Sequence, residues 1–132
     1  MPGRSTAPNN GKDLEDEVAR VAGFLGLRVR RQVEVARRIW GAKRRIDLVV
    51  TEPTTRKMLG LECKFQGVGG TAEEKLPGTV QDIAAWPIPG LVVFAGAGFT
   101  ENMKAFLHST GKAVELEDLE PWLRLFFGLD ET

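Results

Sequence analysis

The chain has 132 residues, which suffices for one domain and is too short for two of ordinary size. Its 42% apolar and 27% charged residues are typical of soluble globular proteins, and no apolar run is long enough to span a membrane. One cysteine excludes an internal disulfide, and one histidine leaves no Cys/His set for zinc. We therefore expect one cytoplasmic domain with no membrane partner, in which carboxylates would have to hold any metal.

The formal net charge is zero, but the charges are unevenly distributed. Residues 1–64 contain 14 Lys/Arg against 8 Asp/Glu, whereas residues 65–132 contain 4 against 10. A basic block in residues 27–45 contains Arg28, Arg30, Arg31, Arg37, Arg38, Lys43, Arg44 and Arg45, opposed only by Glu34. Such a block attracts a polyanion even in a neutral protein, because phosphates respond to the local field. The alternative is a solvated strand face that discourages edge aggregation.

The first half of the chain predicts one helix and three strands. Residues 1–11 are expected to be a disordered leader, and residues 12–132 the single domain. Apolar residues at helical spacing from Leu14 to Leu25 predict a helix that Gly26 ends. Valines of one parity then predict a strand with one apolar face, "KRRIDLVVT" a second strand, and residues 58–66 a third. Joined by short turns, the three form an antiparallel meander.

The second half predicts alternating helices and strands, so that the whole order is αβββαβαβα, an α/β fold. A helix over 72–86, interrupted near Pro77 and Gly78, precedes the apolar strand "PGLVVFAGAG". A helix over 101–109, a strand over 113–116 and a last helix "LEDLEPWLRLFFGL" follow. The last helix has a core stripe of Leu119, Trp122, Leu123 and Phe126, with Leu125, Phe127 and Leu129 on adjacent faces. This surplus of apolar surface predicts a homodimer.

Three charged residues predict a metal site. Glu62 and Lys64 share one face of the third strand, and a hairpin with the second strand would bring Asp47 beside Glu62. Two desolvated carboxylates repel each other, so we expect a divalent cation held by Asp47, Glu62 and the backbone carbonyl of Cys63. The Lys64 ammonium could orient a water molecule or stabilise charge on a phosphate. The alternative is an ion pair between Glu62 and Lys64 on an ordinary strand face.

The pair of segments "IDLVV" and "LECKFQ" resembles the signature of the PD-(D/E)XK nuclease superfamily, with Asp47, Glu62 and Lys64 matching its Asp, Glu and Lys. Ile46 stands where the naming proline would be, a departure that many members share. "GKDLE" places Glu15 where archaeal Holliday-junction resolvases carry an acidic residue, and Glu17 is the alternative. The resemblance covers roughly residues 11–96. It implies a restriction-endonuclease-like core of helix, three-stranded antiparallel meander, helix and strand, with additional C-terminal helices.

The resemblance further implies a DNA endonuclease that uses Mg²⁺ or Mn²⁺ to hydrolyse phosphodiester bonds, with branched DNA among its possible substrates. It assigns catalytic roles to Glu15, Asp47, Glu62 and Lys64. We expect contacts with nucleic acid from Arg37, Arg38, Lys43, Arg44, Arg45, Gln66 and Lys75. For Gln66 an ordinary solvated position is equally compatible, and the loop before Lys75 fits a capping box. The alternative functions are a non-catalytic nucleic-acid-binding module with the same fold and an interaction protein with structural charges.

Overall fold

The computed structural model describes residues 7–37, 43–68 and 76–129. The elements in chain order are α1 (Gly11–Phe24), β1 (Arg28–Arg37), β2 (Lys43–Thr51), β3 (Met58–Phe65), α2 (Leu76–Ala84), β4 (Gly90–Ala95), α3 (Glu101–Thr110), β5 (Ala113–Glu115), a 3₁₀ turn (Leu116–Asp118) and α4 (Leu119–Phe127). The predicted order αβββαβαβα is confirmed.

The five strands form one mixed sheet in the order β1-β2-β3-β4-β5. Strand β2 pairs antiparallel to both β1 and β3, which is the predicted meander. Strand β4 pairs parallel to β3, and β5 pairs parallel to β4. Parallel neighbours need a crossover connection, which is why a helix lies between each of these pairs in the sequence.

Each face of the sheet has its own hydrophobic core. The first core, under α1 and α4, includes Leu14, Val18, Leu48, Val50, Leu59, Leu61 and Leu123. The second core, under α2 and α3, includes Ile46, Val49, Ile83, Trp86, Phe94 and Leu107. Both faces of β2, β3 and β4 are therefore covered, which explains the nearly continuous apolar character of β4. No helix in the described ranges is long and apolar enough to cross a membrane.

The ends of α1 differ slightly from the predicted ones. The helix begins at Gly11, inside the expected leader, because the side chain of Asn10 caps it by accepting from the Asp13 N–H at 2.8 Å. It ends before Gly26, whose positive φ of 83° is the expected stop signal. Residues 1–6 of the expected leader lie outside the described residues.

Helix α2 begins at Leu76, so Pro77 lies in its first turn, where the missing N–H of proline has no helical partner to lose. The part of the predicted helix before the expected interruption, residues 72–75, lies outside the described residues. One expectation about the last helix is wrong. In α4, Phe127 is buried and Leu129 packs against the first core, so neither adds to exposed apolar surface. Of the predicted surplus on that helix, Leu125 stays exposed.

Candidate active site

Strands β2 and β3 separate at one end and create a fork. Their pairing runs from Thr51 opposite Met58 to Leu48 opposite Leu61 and stops there. The pairing of β1 with β2 continues much further, to Arg37 opposite Lys43. The β1–β2 hairpin therefore extends beyond the fork, and the register places Asp47 and Glu62 opposite each other just inside it.

The Asp47 carboxylate takes over a position in the sheet that a backbone carbonyl would normally occupy. Its Oδ2 accepts a hydrogen bond from the Cys63 N–H at 2.9 Å. In a strand the N–H and C=O of one residue point to the same side, so the Cys63 carbonyl also faces the fork. The structure thus brings together the three groups predicted to hold a metal.

Along β1 and β2 the side chains of one parity change from one face of the sheet to the other. This change of face explains why Asp47 points into the fork. Val29 packs against the first core but Val33 against the second, although both have the same parity. On β2, Leu48 packs against the first core and Ile46 against the second. The alternation of faces is broken between these positions, where the register places Gln32 opposite Asp47 and Gln32 has a φ of 52°. The prediction of one apolar face on β1 is therefore wrong.

The Glu62 carboxylate is mostly buried and lies near a second carboxylate, that of Asp47. Its side chain is only 20% exposed, and its Oε1 is buried with no hydrogen-bond partner among the described residues. Burial and the Asp47 carboxylate raise its pKa to about 7, although the Lys64 ammonium acts in the opposite direction. Lys64 Nζ lies 3.7 Å from Glu62 Oε2. A cation near Oε1 would satisfy this oxygen and relieve the repulsion.

Helix α1 brings Glu15 to the same end of the sheet. Its carboxylate is 19% exposed, with Oε1 lying 3.8 Å from Arg31 Nη1 and Oε2 accepting from Gln32 Nε2 at 3.3 Å. Glu17 makes a two-bond ion pair with Arg20 at 2.9 and 2.7 Å instead. Of the two alternatives left by the sequence, Glu15 is thus the one that contacts β1 at Gln32, which the register places opposite Asp47.

Cys63 behaves as a core residue. Its side chain packs against the first core, on the opposite face of β3 from Glu62. Burial raises the pKa of its thiol well above the ordinary value, and the nearby carboxylates of Asp47 and Glu15 raise it further. The thiol is therefore a poor nucleophile, and its backbone carries whatever role the residue has.

The donor set is suitable for a hard cation that keeps part of its water shell. In the described part of the chain, no group of three or more Asp, Glu, His or Cys side chains is arranged to hold a metal. Magnesium commonly binds through one or two carboxylates and completes its coordination with water and substrate phosphate. Asp47, Glu62 and the Cys63 carbonyl, with one buried carboxylate oxygen unpartnered, fit that mode.

Comparison with protein families decides the assignment. Residues 6–126 match the family described as the PD-(D/E)XK nuclease superfamily domain. The chain belongs to the PD-(D/E)XK nuclease superfamily. Asp47, Glu62 and Lys64, which match the signature of this superfamily in the sequence, thus lie at the fork between β2 and β3.

Two solved structures share the fold of this superfamily member. The crystal structure of AF1548, a protein of unknown function, has 18% identity and a TM-score of 0.52, and the alignment covers 76% of this chain and 55% of that one. Protein VC1899 from Vibrio cholerae has 16% identity and a TM-score of 0.50, with 85% and 32% covered. The chain therefore spans only part of the length of either. No curated protein is similar enough to count as a relative.

Some of the residues that we expect to contact DNA lie on the β1–β2 hairpin, and others lie outside the described residues. Arg45 is exposed on β2, and Arg37, Lys43 and Arg44 belong to the strands of the same hairpin. Arg38 and Lys75 lie outside the described residues. The contacts of Arg31, whose Nη1 lies 2.7 Å from Asp16 Oδ1, were not predicted. Arg31 has the same parity as Val29, which packs against the first core under α1, so alternation along β1 is the signal that could have placed this arginine next to α1.

Gln66, for which the sequence left open a nucleic-acid contact or a solvated position, is buried. It is 6% exposed, and its Nε2 lies 3.4 Å from the Gly98 carbonyl to which it donates. The loop after β4 crosses so closely that a Cβ at Gly96 or Gly98 would lie 2.2 Å from a backbone oxygen of Gln66 or Gly67. This placement gives no support to a phosphate contact by Gln66 and makes it part of the packing beside the site.

Proposed function

We propose that this superfamily member is a metal-dependent endonuclease that hydrolyses phosphodiester bonds of DNA, branched DNA included. One observation carries the proposal: Glu62, opposite Asp47, has a buried carboxylate oxygen without a partner among the described residues, and the Lys64 ammonium lies beside it. A buried, unsatisfied carboxylate is destabilising in a protein that has no use for it. In a site that binds a cation and then a phosphate, the negative charge of this carboxylate would bind the cation.

In this proposal Asp47, Glu62 and the Cys63 carbonyl would hold Mg²⁺ or Mn²⁺. A bound divalent ion supplies Lewis-acid chemistry, because it polarises a phosphate and makes water more acidic. The Lys64 ammonium stabilises negative charge on the phosphate that is attacked or orients the attacking water. Its position on the same strand face as Glu62, two residues away, fixes its distance from the carboxylate pair.

The β1–β2 hairpin is the proposed DNA contact. It extends beyond the fork and carries Arg45, exposed, together with Arg37, Lys43 and Arg44 in its strands. A basic hairpin next to the carboxylate pair would hold the sugar-phosphate backbone at the site independently of base sequence. The inference of DNA rather than RNA comes from the family.

A non-catalytic DNA-binding module with the same fold is the second candidate. It is favoured by the lack of a third acidic, histidine or cysteine side chain arranged for metal binding among the described residues. In that protein Glu62 and Lys64 would be only an ion pair. A homodimer also remains a proposal; of the apolar residues on α4 that suggested it, Leu125 is 85% exposed.

The test is cleavage of supercoiled, linear, nicked, flapped and four-way DNA with Mg²⁺, Mn²⁺ or Ca²⁺, and with a chelator. We expect cleavage with Mg²⁺ or Mn²⁺ and none after chelation. Asp47→Asn protein, purified in parallel, controls for a contaminating nuclease. Cleavage that survives exhaustive chelation would overturn the carboxylate-metal site. Salt-sensitive DNA binding without cleavage under any condition would establish the non-catalytic module instead.

A further inference from the structure

Gln32 has a backbone conformation that is unusual for its residue type and position. The positive φ values in the described residues belong to glycines, except at Gln32 (52°) and Arg56 (64°). Arg56 lies in the turn between β2 and β3, where its N–H donates to the Glu52 carbonyl at 2.8 Å. Turns commonly contain left-handed residues, whereas Gln32 lies in the middle of a strand. A residue with a Cβ is strained in this region, and such strain concentrates at functional sites.

This conformation has two local consequences. First, it marks the point at which β1 changes faces. Arg31, before it, points toward α1 on the same face as Val29, whereas Val33, after it, packs in the second core. Second, it directs the Gln32 amide to Glu15 Oε2, 3.3 Å from Nε2. Glu15 is therefore held between two consecutive residues of β1, one of them charged and one neutral.

The chemistry of an amide suits this position. A glycine would adopt the same φ without strain but could not donate to Glu15. A glutamate would repel Glu15, and a lysine would add a second cation next to Arg31. The amide of glutamine fixes the direction of the carboxylate without altering the charge of the site.

We propose that Gln32 is a positioning residue of the nuclease site, which holds the Glu15 carboxylate toward the fork formed by Asp47 and Glu62. This inference rests on the proposed function and extends it by one residue that the signature does not contain. Gln32 acts through Glu15, so it should affect turnover more than DNA binding, which the basic hairpin controls.

The main test replaces Gln32 with glycine, which removes the amide and also relieves the backbone strain. We expect the melting temperature of Gln32→Gly to be equal to or above that of the parent, KM for DNA to change less than about twofold, and kcat to fall roughly tenfold, as misplaced catalytic groups do. Asparagine tolerates the left-handed region, but its side chain is shorter, so kcat of Gln32→Asn should fall by a similar factor. Arg56→Gly relieves the same kind of strain in the distant turn and should leave kcat unchanged.

A double-variant cycle with Glu15→Gln separates this inference from the proposed function. If Gln32 acts through Glu15, Gln32→Gly should cause no further loss of kcat in the Glu15→Gln background. Parental kcat in Gln32→Gly, or the full loss in both backgrounds, would overturn the inference. The melting temperatures of the four metal-free proteins give an independent reading. Non-additive shifts support the contact even if the parent protein cuts no DNA, and additive shifts argue against it.

Discussion

The two ends of the β2–β3 pair are built according to opposite rules. At the closed end, residues 51–58, the backbone ladder is intact and the turn is fully bonded. The Glu52 side chain accepts from the Thr54 and Thr55 N–H groups at 2.9 and 2.7 Å, and the Glu52 N–H donates to the Lys57 carbonyl at 2.9 Å. These bonds, with those of the Arg56 and Lys57 N–H groups, satisfy the N–H donors of the turn, although Arg56 itself has a positive φ of 64°.

At the open end the same strands leave groups unsatisfied. A side chain, Asp47, replaces the backbone acceptor for the Cys63 N–H, and Glu62 buries an oxygen with no partner in the described part of the chain. Strain at Gln32 and a raised Glu62 pKa lie at this end as well. The closed end therefore stabilises the β2–β3 pair, and the open end contains the groups of the proposed reaction. Substitutions at the two ends should affect stability and activity separately.

The largest effect is expected from removing either carboxylate of the open end. Asp47→Asn and Glu62→Gln each remove a proposed metal ligand, so cleavage should fall on the order of 10³-fold and Mg²⁺ binding should weaken sharply. Both proteins should stay folded, since the closed end is untouched. The measurements are single-turnover cleavage, calorimetry with Mg²⁺ and thermal unfolding. Glu101→Gln, on a side chain that is 90% exposed, is the matched control; cleavage within tenfold of the parent in either site variant would contradict the assignment.

Lys64→Ala should separate metal binding from turnover. It removes a cation and no metal ligand, so Mg²⁺ and DNA should bind as in the parent while the cleavage rate falls roughly 10²-fold. Calorimetry and cleavage on the same preparation measure both. Lys12→Ala, with a side chain that is 78% exposed on α1, is the control for loss of one positive charge. A folded Lys64→Ala protein that cuts at the parental rate would reduce Glu62 and Lys64 to a surface ion pair.

A substitution away from the open end should have the opposite signature. A Cβ on Gly60, which pairs with Val49 in the intact ladder, would lie 2.7 Å from Trp86 Cζ3 in the second core. Gly60→Ala should therefore lower the free energy of unfolding by about 1–3 kcal/mol, as overpacking does, without changing the cleavage rate of the folded protein. Denaturant unfolding measures the former. Gly78→Ala, whose Cβ would meet nothing within 4 Å, should stabilise α2 instead.

The regular parts of the molecule were predictable from the sequence. Strand β2 was predicted at its observed bounds, 43–51, and β2 and β3 were predicted to form an antiparallel hairpin, as they do. This is why Asp47 and Glu62 could be placed opposite each other. The superfamily assignment followed from the same two strands, since its signature consists of residues that a regular hairpin brings together.

The irregular parts were not predictable, because they depend on contacts between distant segments. The face reversal at Gln32 has no local signal, since glutamine is not a residue that favours positive φ. Burial of Gln66 depends on the loop after β4, whose glycines allow a close crossing that sequence spacing does not reveal. Periodicity likewise could not show that the chain after α4 would fold Leu129 back onto the first core.

The smallest expected effect is a dependence of stability on pH that originates at the open end. In the metal-free protein the Glu62 pKa is raised from 4.5 to about 7, so the folded state binds more protons than the unfolded state between these values. The contribution of Glu62 to the free energy of unfolding should therefore decrease as the pH rises through this window, and level off above it. The whole shift would correspond to about 3 kcal/mol, and we expect about 1–2 kcal/mol because the side chain keeps some contact with water.

The measurement is denaturant unfolding in a chelator from pH 4.5 to 8, for the parent and for Glu62→Gln. The difference between the two curves isolates Glu62 from every other titrating group, and it should show the parent losing stability relative to the variant as the pH rises. Added Mg²⁺ should restore stability mainly at the upper end of the range, because the ion competes with the proton for the same carboxylate. If the two curves of unfolding free energy against pH run parallel, Glu62 ionises with an ordinary pKa. The open end would then contain no carboxylate with a raised pKa, and this difference from the closed end would be lost.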